Sequence, residues 1–168
     1  QRRAAALAAA RAGLPASWDD RSISDRCITR GVLGVLPTIY GNGLQIVQNQ
    51  AFVAITYEMI HETRVIPVDG RPHLPSNIRQ WYGDSRGRWE GNTLVVDVTN
   101  FSPKTDFQGS RENLHLVERW TRTGPASLEY AVTVDDPTVW TRPWTAKQEF
   151  TRQSEGENRI YAEPRCIE

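Results

Sequence analysis

The chain has 168 residues, with 20 Lys and Arg against 20 Asp and Glu and no net formal charge. That is the length of one ordinary domain with a working core, and its interspersed charges give no electrostatic footprint for nucleic acid or an anionic membrane. With 39% apolar residues, a mean hydropathy of −0.53 and no apolar run near the ~18 residues of a membrane helix, membrane insertion is not expected.

Residues 1–12, QRRAAALAAARA, predict a helix stopped by Gly13 and Pro15. Its apolar face is Ala with one Leu, so it packs weakly. SWDDRSISDRC predicts a turn or short helix capped by Ser17 or Asp19. Residues 1–30 are therefore expected to form a helical segment packed on a β domain of residues 31–168. The chain starts at Gln1 without an initiator Met, and an upstream piece is expected to have been removed.

After the Gly-containing stretch 31–43 the sequence period becomes two. LQIVQNQ, AFVAITYEM and TRVIPVDG are rich in Val, Ile and aromatic residues and predict strands. VDGRPHLPSN is turn chemistry. Gly91-Asn92 inside RWEGNTLVVDVTNF predicts a tight hairpin. NLHLVERWTRT, SLEYAVTVDD, WTAKQEFTRQ and RIYAEP predict further strands, joined by GPA, DPT and SEGEN. Eight or nine strands in sequential hairpins point to a mainly β fold. A single antiparallel up-and-down barrel of the lipocalin type would remove the exposed edges. A β-sandwich is the alternative.

Gly83 to Gly87, GDSRG, spells the G-x-S-x-G of a serine nucleophile elbow, and Asp97, Asp106 and His115 follow in the order of a triad. An elbow needs a helix after the Ser. Here the chain enters the Gly91-Asn92 hairpin, so Ser85 is expected in a structured turn. Gly83 and Gly87 would supply positive φ, and Asp84 would bond its own backbone.

Three histidines, His61, His73 and His115, could share a pocket, but HExxH is absent and the spacing names no metal. No metal or cofactor is expected. Alternation puts Leu114, Leu116, Glu118 and Trp120 on one face of a strand and His115, Val117 and Arg119 on the other. Val53, Ile55, Tyr57, Met59 and His61 share a face of another. If they face a lumen, Glu58, Asp97, His115 and Arg119 are the acid–base candidates. WTRPW, with Trp140, Arg142 and Trp144, reads as a packed corner or as an aromatic wall for a ring.

DRCITRGV, EMIHETRVIPVDGRPHLPSNIRQWYGDSRGRWEGNTLVVDVTNF, ENLHLVERWTR and VDDPTVWTRPWTA together resemble a large family of exported bacterial proteins of uncharacterised activity, abundant in acidobacteria and environmental proteobacteria. The likeness covers roughly residues 15–168 and includes His61, His73, Asp84, Ser85, Arg86, Trp89, Asp97, His115, Arg119, Trp140, Arg142 and Trp144. The chain departs from it at its end, PRCIE, which replaces a longer tail. The resemblance implies export to the periplasm or outside the cell and a disulfide between Cys27 and Cys166. In the chain-entropy model such a closure is worth about 5 kcal/mol at most.

Three functions stay open. The first is an exported β-barrel enzyme using acid–base chemistry (lyase, isomerase or hydrolase) on a small organic molecule. His115 and His61 would carry protons, Asp84 or Asp97 would orient them, and Arg86 or Arg119 would hold an anionic group. The second is a lipocalin-like binder of an apolar or ring-bearing ligand, using Trp89, Trp140, Trp144, Arg142, Arg119 and His73. The third is a structural subunit of an envelope complex. Oligomeric state is not readable.

Overall fold

A computed structural model of the chain describes residues 21–36, 41–154 and 156. Eight strands follow in order: β1 Leu44–Gln48, β2 Phe52–Tyr57, β3 Thr63–Pro67, β4 Asp84–Glu90, β5 Thr93–Thr99, β6 His115–Arg122, β7 Ser127–Asp135 and β8 Trp144–Thr151. A 3-10 turn, Val32–Val35, precedes them and buries Val32, Leu33 and Val35. The expected helix at 1–12, the caps Ser17 and Asp19, and the strand at RIYAEP lie outside the described residues.

The strands form two antiparallel sheets, β1-β2-β3 and β4-β5-β6-β7-β8, each strand beside its sequence neighbour. The expected meander is therefore present, but not as one continuous ladder. Pro67 ends β3, and Pro72 and Pro75 remove further backbone donors from the connection 68–83. Pairing resumes only at β4. Among the described residues β8 pairs with β7 alone, so no closed barrel forms. Two sheets over one core fit the sandwich alternative.

Alternation sets that core. Val53, Ile55 and Tyr57 of β2 and Ile66 of β3 face Leu94, Val96 and Val98 of β5, Leu116 and Trp120 of β6, and Tyr130, Val132 and Val134 of β7. Each side chain of this size contributes roughly 1.5–3 kcal/mol when fully buried. The Gly91-Asn92 hairpin is where the sequence put it, with Gly91 at φ 62°.

GDSRG is not a turn beyond its first residue, because β4 begins at Asp84. Gly83 has φ 65°, and a Cβ there would fall 2.6 Å from the Thr99 carbonyl oxygen. Gly87 has ordinary φ and a different role. A Cβ on it would meet Val68 at 2.8 Å and Ile66 at 2.9 Å, so glycine lets β4 pass close to the end of β3.

Candidate functional site

Residues of β4 alternate between two environments. Ser85 points into the core, where its hydroxyl accepts a bond from Arg64 Nε at 3.0 Å. Arg64 Nη2 in turn donates to Glu118 Oε2 at 2.5 Å, and the Tyr130 hydroxyl donates to Glu118 Oε1 at 2.9 Å. Arg64 and Glu118 are 4% and 0% exposed, so this is an ion pair sealed between the sheets. A Ser locked there is no nucleophile for an outside substrate. Burial favours a neutral Arg64, but the Glu118 charge outweighs it and holds the guanidinium firmly protonated. Burial pushes Tyr57 up to about 12, against the opposing pull of Arg64.

Asp84 and Arg86 point to the other face of the large sheet. There a chain of contacts runs across three strands. His115 Nε2 lies 3.0 Å from Asp97 Oδ2, and Asp97 Oδ1 lies 2.9 Å from His73 Nε2. His73 Nδ1 lies 2.7 Å from Asp84 Oδ2, and Asp84 Oδ1 pairs with Arg86 Nη1 at 2.7 Å. Register explains the sheet part: Arg86 stands opposite Asp97, and Asp84 opposite Thr99. His73 comes from the 68–83 connection, which Arg86 also grips through the Pro72 carbonyl. Both His73 contacts with ionised carboxylates form together only if each ring nitrogen carries a proton. His115 Nδ1 takes no partner among the described residues. Asp84 is buried, whereas His73, Asp97 and His115 are half-buried.

Four of the five expected catalytic residues, His115, Asp97, Asp84 and Arg86, thus meet, joined by His73. The fifth, His61, does not join them. β2 ends at Tyr57, and His61 sits at φ 53° in the β2–β3 turn. Asp84 bonds His73 and the Leu74 N–H rather than its own backbone. Arg119 pairs with Glu90 at 2.9 Å. Glu58 accepts the Gly43 N–H and lines the cleft between the sheets. Asp97, His115 and Arg119 lie on the outer face, so of the four candidates only Glu58 faces the space between the sheets, and the charge sealed in the core is Glu118, paired with Arg64. Glu118 was visible as the one charge on an apolar face; Arg64, 54 positions away, carried no such signal. Among the described residues no three His, Cys, Asp or Glu side chains are arranged to hold a metal.

WTRPW forms a packed corner. Trp140 and Trp144 contact each other at 5.8 Å and Phe107 at 6.1 and 6.3 Å. Arg142 is exposed beside them. The open aromatic wall is elsewhere. A cleft of about 960 Å³ lies between the inner face of β1 and β2 and the far end of the large sheet. Leu44 and Ile46 form one wall, and Trp89, Trp120, Leu128 and Phe150 the other. Trp89 is 47% exposed and Ile46 41%, although both point inward, because the cleft stands between them and a partner surface. Arg122 at the rim donates to the Gly124 and Pro125 carbonyls.

Compared with known protein families, curated proteins and solved structures, the chain matches none.

Proposed function

We propose that the protein binds a small, apolar, ring-bearing molecule in the cleft between its two sheets. One observation carries the reading: a cleft of about 960 Å³ whose walls expose Trp89 and Ile46. That volume is on the scale of small-molecule sites, which are concave, mostly apolar and set with a few polar groups. Trp89 offers a flat face for stacking at low entropic cost. The frame is a two-sheet sandwich, open at this end, and the protein is an exported one with Cys27 bridged to Cys166. Cys166 lies outside the described residues.

Isothermal titration with 1-ethylnaphthalene tests the reading. Saturable binding is expected, about tenfold weaker in Trp89→Ala, the scale of one lost aromatic contact. No saturable binding, or equal binding by Trp89→Ala, would refute it.

A second reading, acid–base catalysis on the outer face, is favoured by His115. Asp97 fixes its Nε2, which leaves Nδ1 available to exchange a proton with a substrate. The rest of the relay is occupied: His73 is bracketed on both nitrogens, and Arg86 by Asp84 and two carbonyls.

A further inference from the structure

Four charged side chains line the cleft: Glu58, Arg122, Glu149 and Arg152. The last three are exposed, so solvent and salt screen their charges. Arg122 is in addition committed to the Gly124 and Pro125 carbonyls. Glu58 alone of the four is half-buried. It stands one residue past the end of β2 and is tied to Gly43 through main chain and side chain. Its N–H donates to the Gly43 carbonyl at 2.9 Å, and its Oε2 accepts the Gly43 N–H at 2.8 Å. Glycine leaves room for the carboxylate, since a Cβ at position 43 would fall 2.8 Å from Oε2. The second oxygen, Oε1, has no partner among the described residues and is not sealed from solvent. A carboxylate of the cleft lining is thus fixed through one oxygen and keeps the other open.

From this we infer that the cleft's ligand carries a cationic nitrogen, a protonated amine beside its ring, and that Glu58 Oε1 accepts its N–H. This rests on the cleft-binding reading and narrows it from any ring-bearing molecule to an organic ammonium ion. A bond from an ionised donor to a carboxylate is the strong kind, and it gains where water is partly excluded. Trp89 agrees with the same charge, because an exposed indole face attracts a cation more than other side-chain rings do. An anionic ligand would meet Glu58 as a like charge. A hydrocarbon ligand would strip water from Oε1 without replacing its bond.

The test compares three probes on one ring system, 1-naphthylmethylammonium, 1-ethylnaphthalene and 1-naphthoate, at neutral pH, on the intact chain and on Glu58→Gln. Glutamine keeps the size of the side chain and an acceptor for the Gly43 N–H, and it removes the charge. The ammonium probe is expected to bind the unaltered protein about fivefold tighter than the hydrocarbon, the scale of one net hydrogen bond, with the carboxylate probe weakest. In Glu58→Gln that preference is expected to vanish through loss of ammonium affinity, with hydrocarbon affinity unchanged because the wall keeps its shape. Circular dichroism of the variant checks that the sheets are retained. If they are not, the order of the three probes on the unaltered protein decides alone. Equal binding of the ammonium and hydrocarbon probes, tighter binding of the carboxylate, or a preference that survives Glu58→Gln overturns the inference and leaves cleft binding standing. Failure of all three probes to bind removes cleft binding itself.

Discussion

At the scale of single residues, the dominant feature is the charge sealed between the sheets. Arg64, Glu118, Tyr130 and Ser85 form one hydrogen-bonded set in a core otherwise made of Val, Leu, Ile and aromatic side chains. Glu118→Ala leaves the guanidinium buried and uncompensated and is expected to cost about 3–5 kcal/mol in urea unfolding. The paired change Arg64→Met with Glu118→Leu removes both charges and is expected to cost far less, or to stabilise. The buried phenols give a pH signature. Burial raises Tyr57 and Tyr82, and with the Glu118 charge it raises Tyr130. The native state then keeps protons that the unfolded chain gives up above its ordinary value near 10. Stability is expected to be intact below that pH and to fall as pH climbs from about 10 toward the Tyr57 value of about 12. Phenolate absorbance of these three residues should appear only with loss of the folded circular dichroism signal.

At the scale of elements, the relay works as a clasp on the β3–β4 connection. Asp84 accepts the Leu74 N–H at 2.9 Å, and Asn100 Nδ2 donates to the Leu74 carbonyl at 2.8 Å. The two side chains treat one peptide unit as a sheet neighbour would. Asp84→Ala removes the Leu74 acceptor, the His73 partner and the Arg86 partner together. Faster hydrogen exchange at Leu74, with β5–β7 amides unchanged, is the expected result. The loss of stability should be about 1–3 kcal/mol, the scale of unmet buried polar groups. What sequence could foresee is clear at this scale. Period-two patterns and the Gly91-Asn92 turn are local, and they located the strands apart from the first half of β4, where Asp84 to Gly87 were expected in a turn. The break between β3 and β4, the role of Gly87 as a close-approach residue and the arrival of His73 beside Asp84 depend on how a proline-containing connection crosses the sheet. His61 seemed to continue the inward face of β2 only because periodicity does not mark where the strand stops.

At the scale of the whole molecule, two faces of one sheet carry different chemistry. The outer face holds the polar relay, with most of its donors and acceptors occupied. The inner face holds the buried ion pair and, beyond Trp120, the aromatic cleft. The same alternation yields both, since Asp84, Arg86, Asp97 and His115 point one way and Ser85, Trp89, Leu94 and Trp120 the other. The proposed Cys27–Cys166 bridge would tie the chain's last residues to the segment before the first strand. The intact mass of non-reduced protein should be lower than the reduced mass by two thiol hydrogens. Two free thiols in protein from an oxidising compartment would remove the bridge from the account.

A ligand bound as proposed enters the inner cleft rather than the outer relay. Chemical-shift mapping with 1-acetylnaphthalene on isotope-labelled protein measures this most directly. Saturable shifts are expected at the indole N–H signals of Trp89 and Trp120 and at amides of β1 and of the β7 start, with His73 and His115 ring signals unmoved. Shifts centred on His115, Asp97 and His73, with the Trp89 and Trp120 signals still, would contradict it.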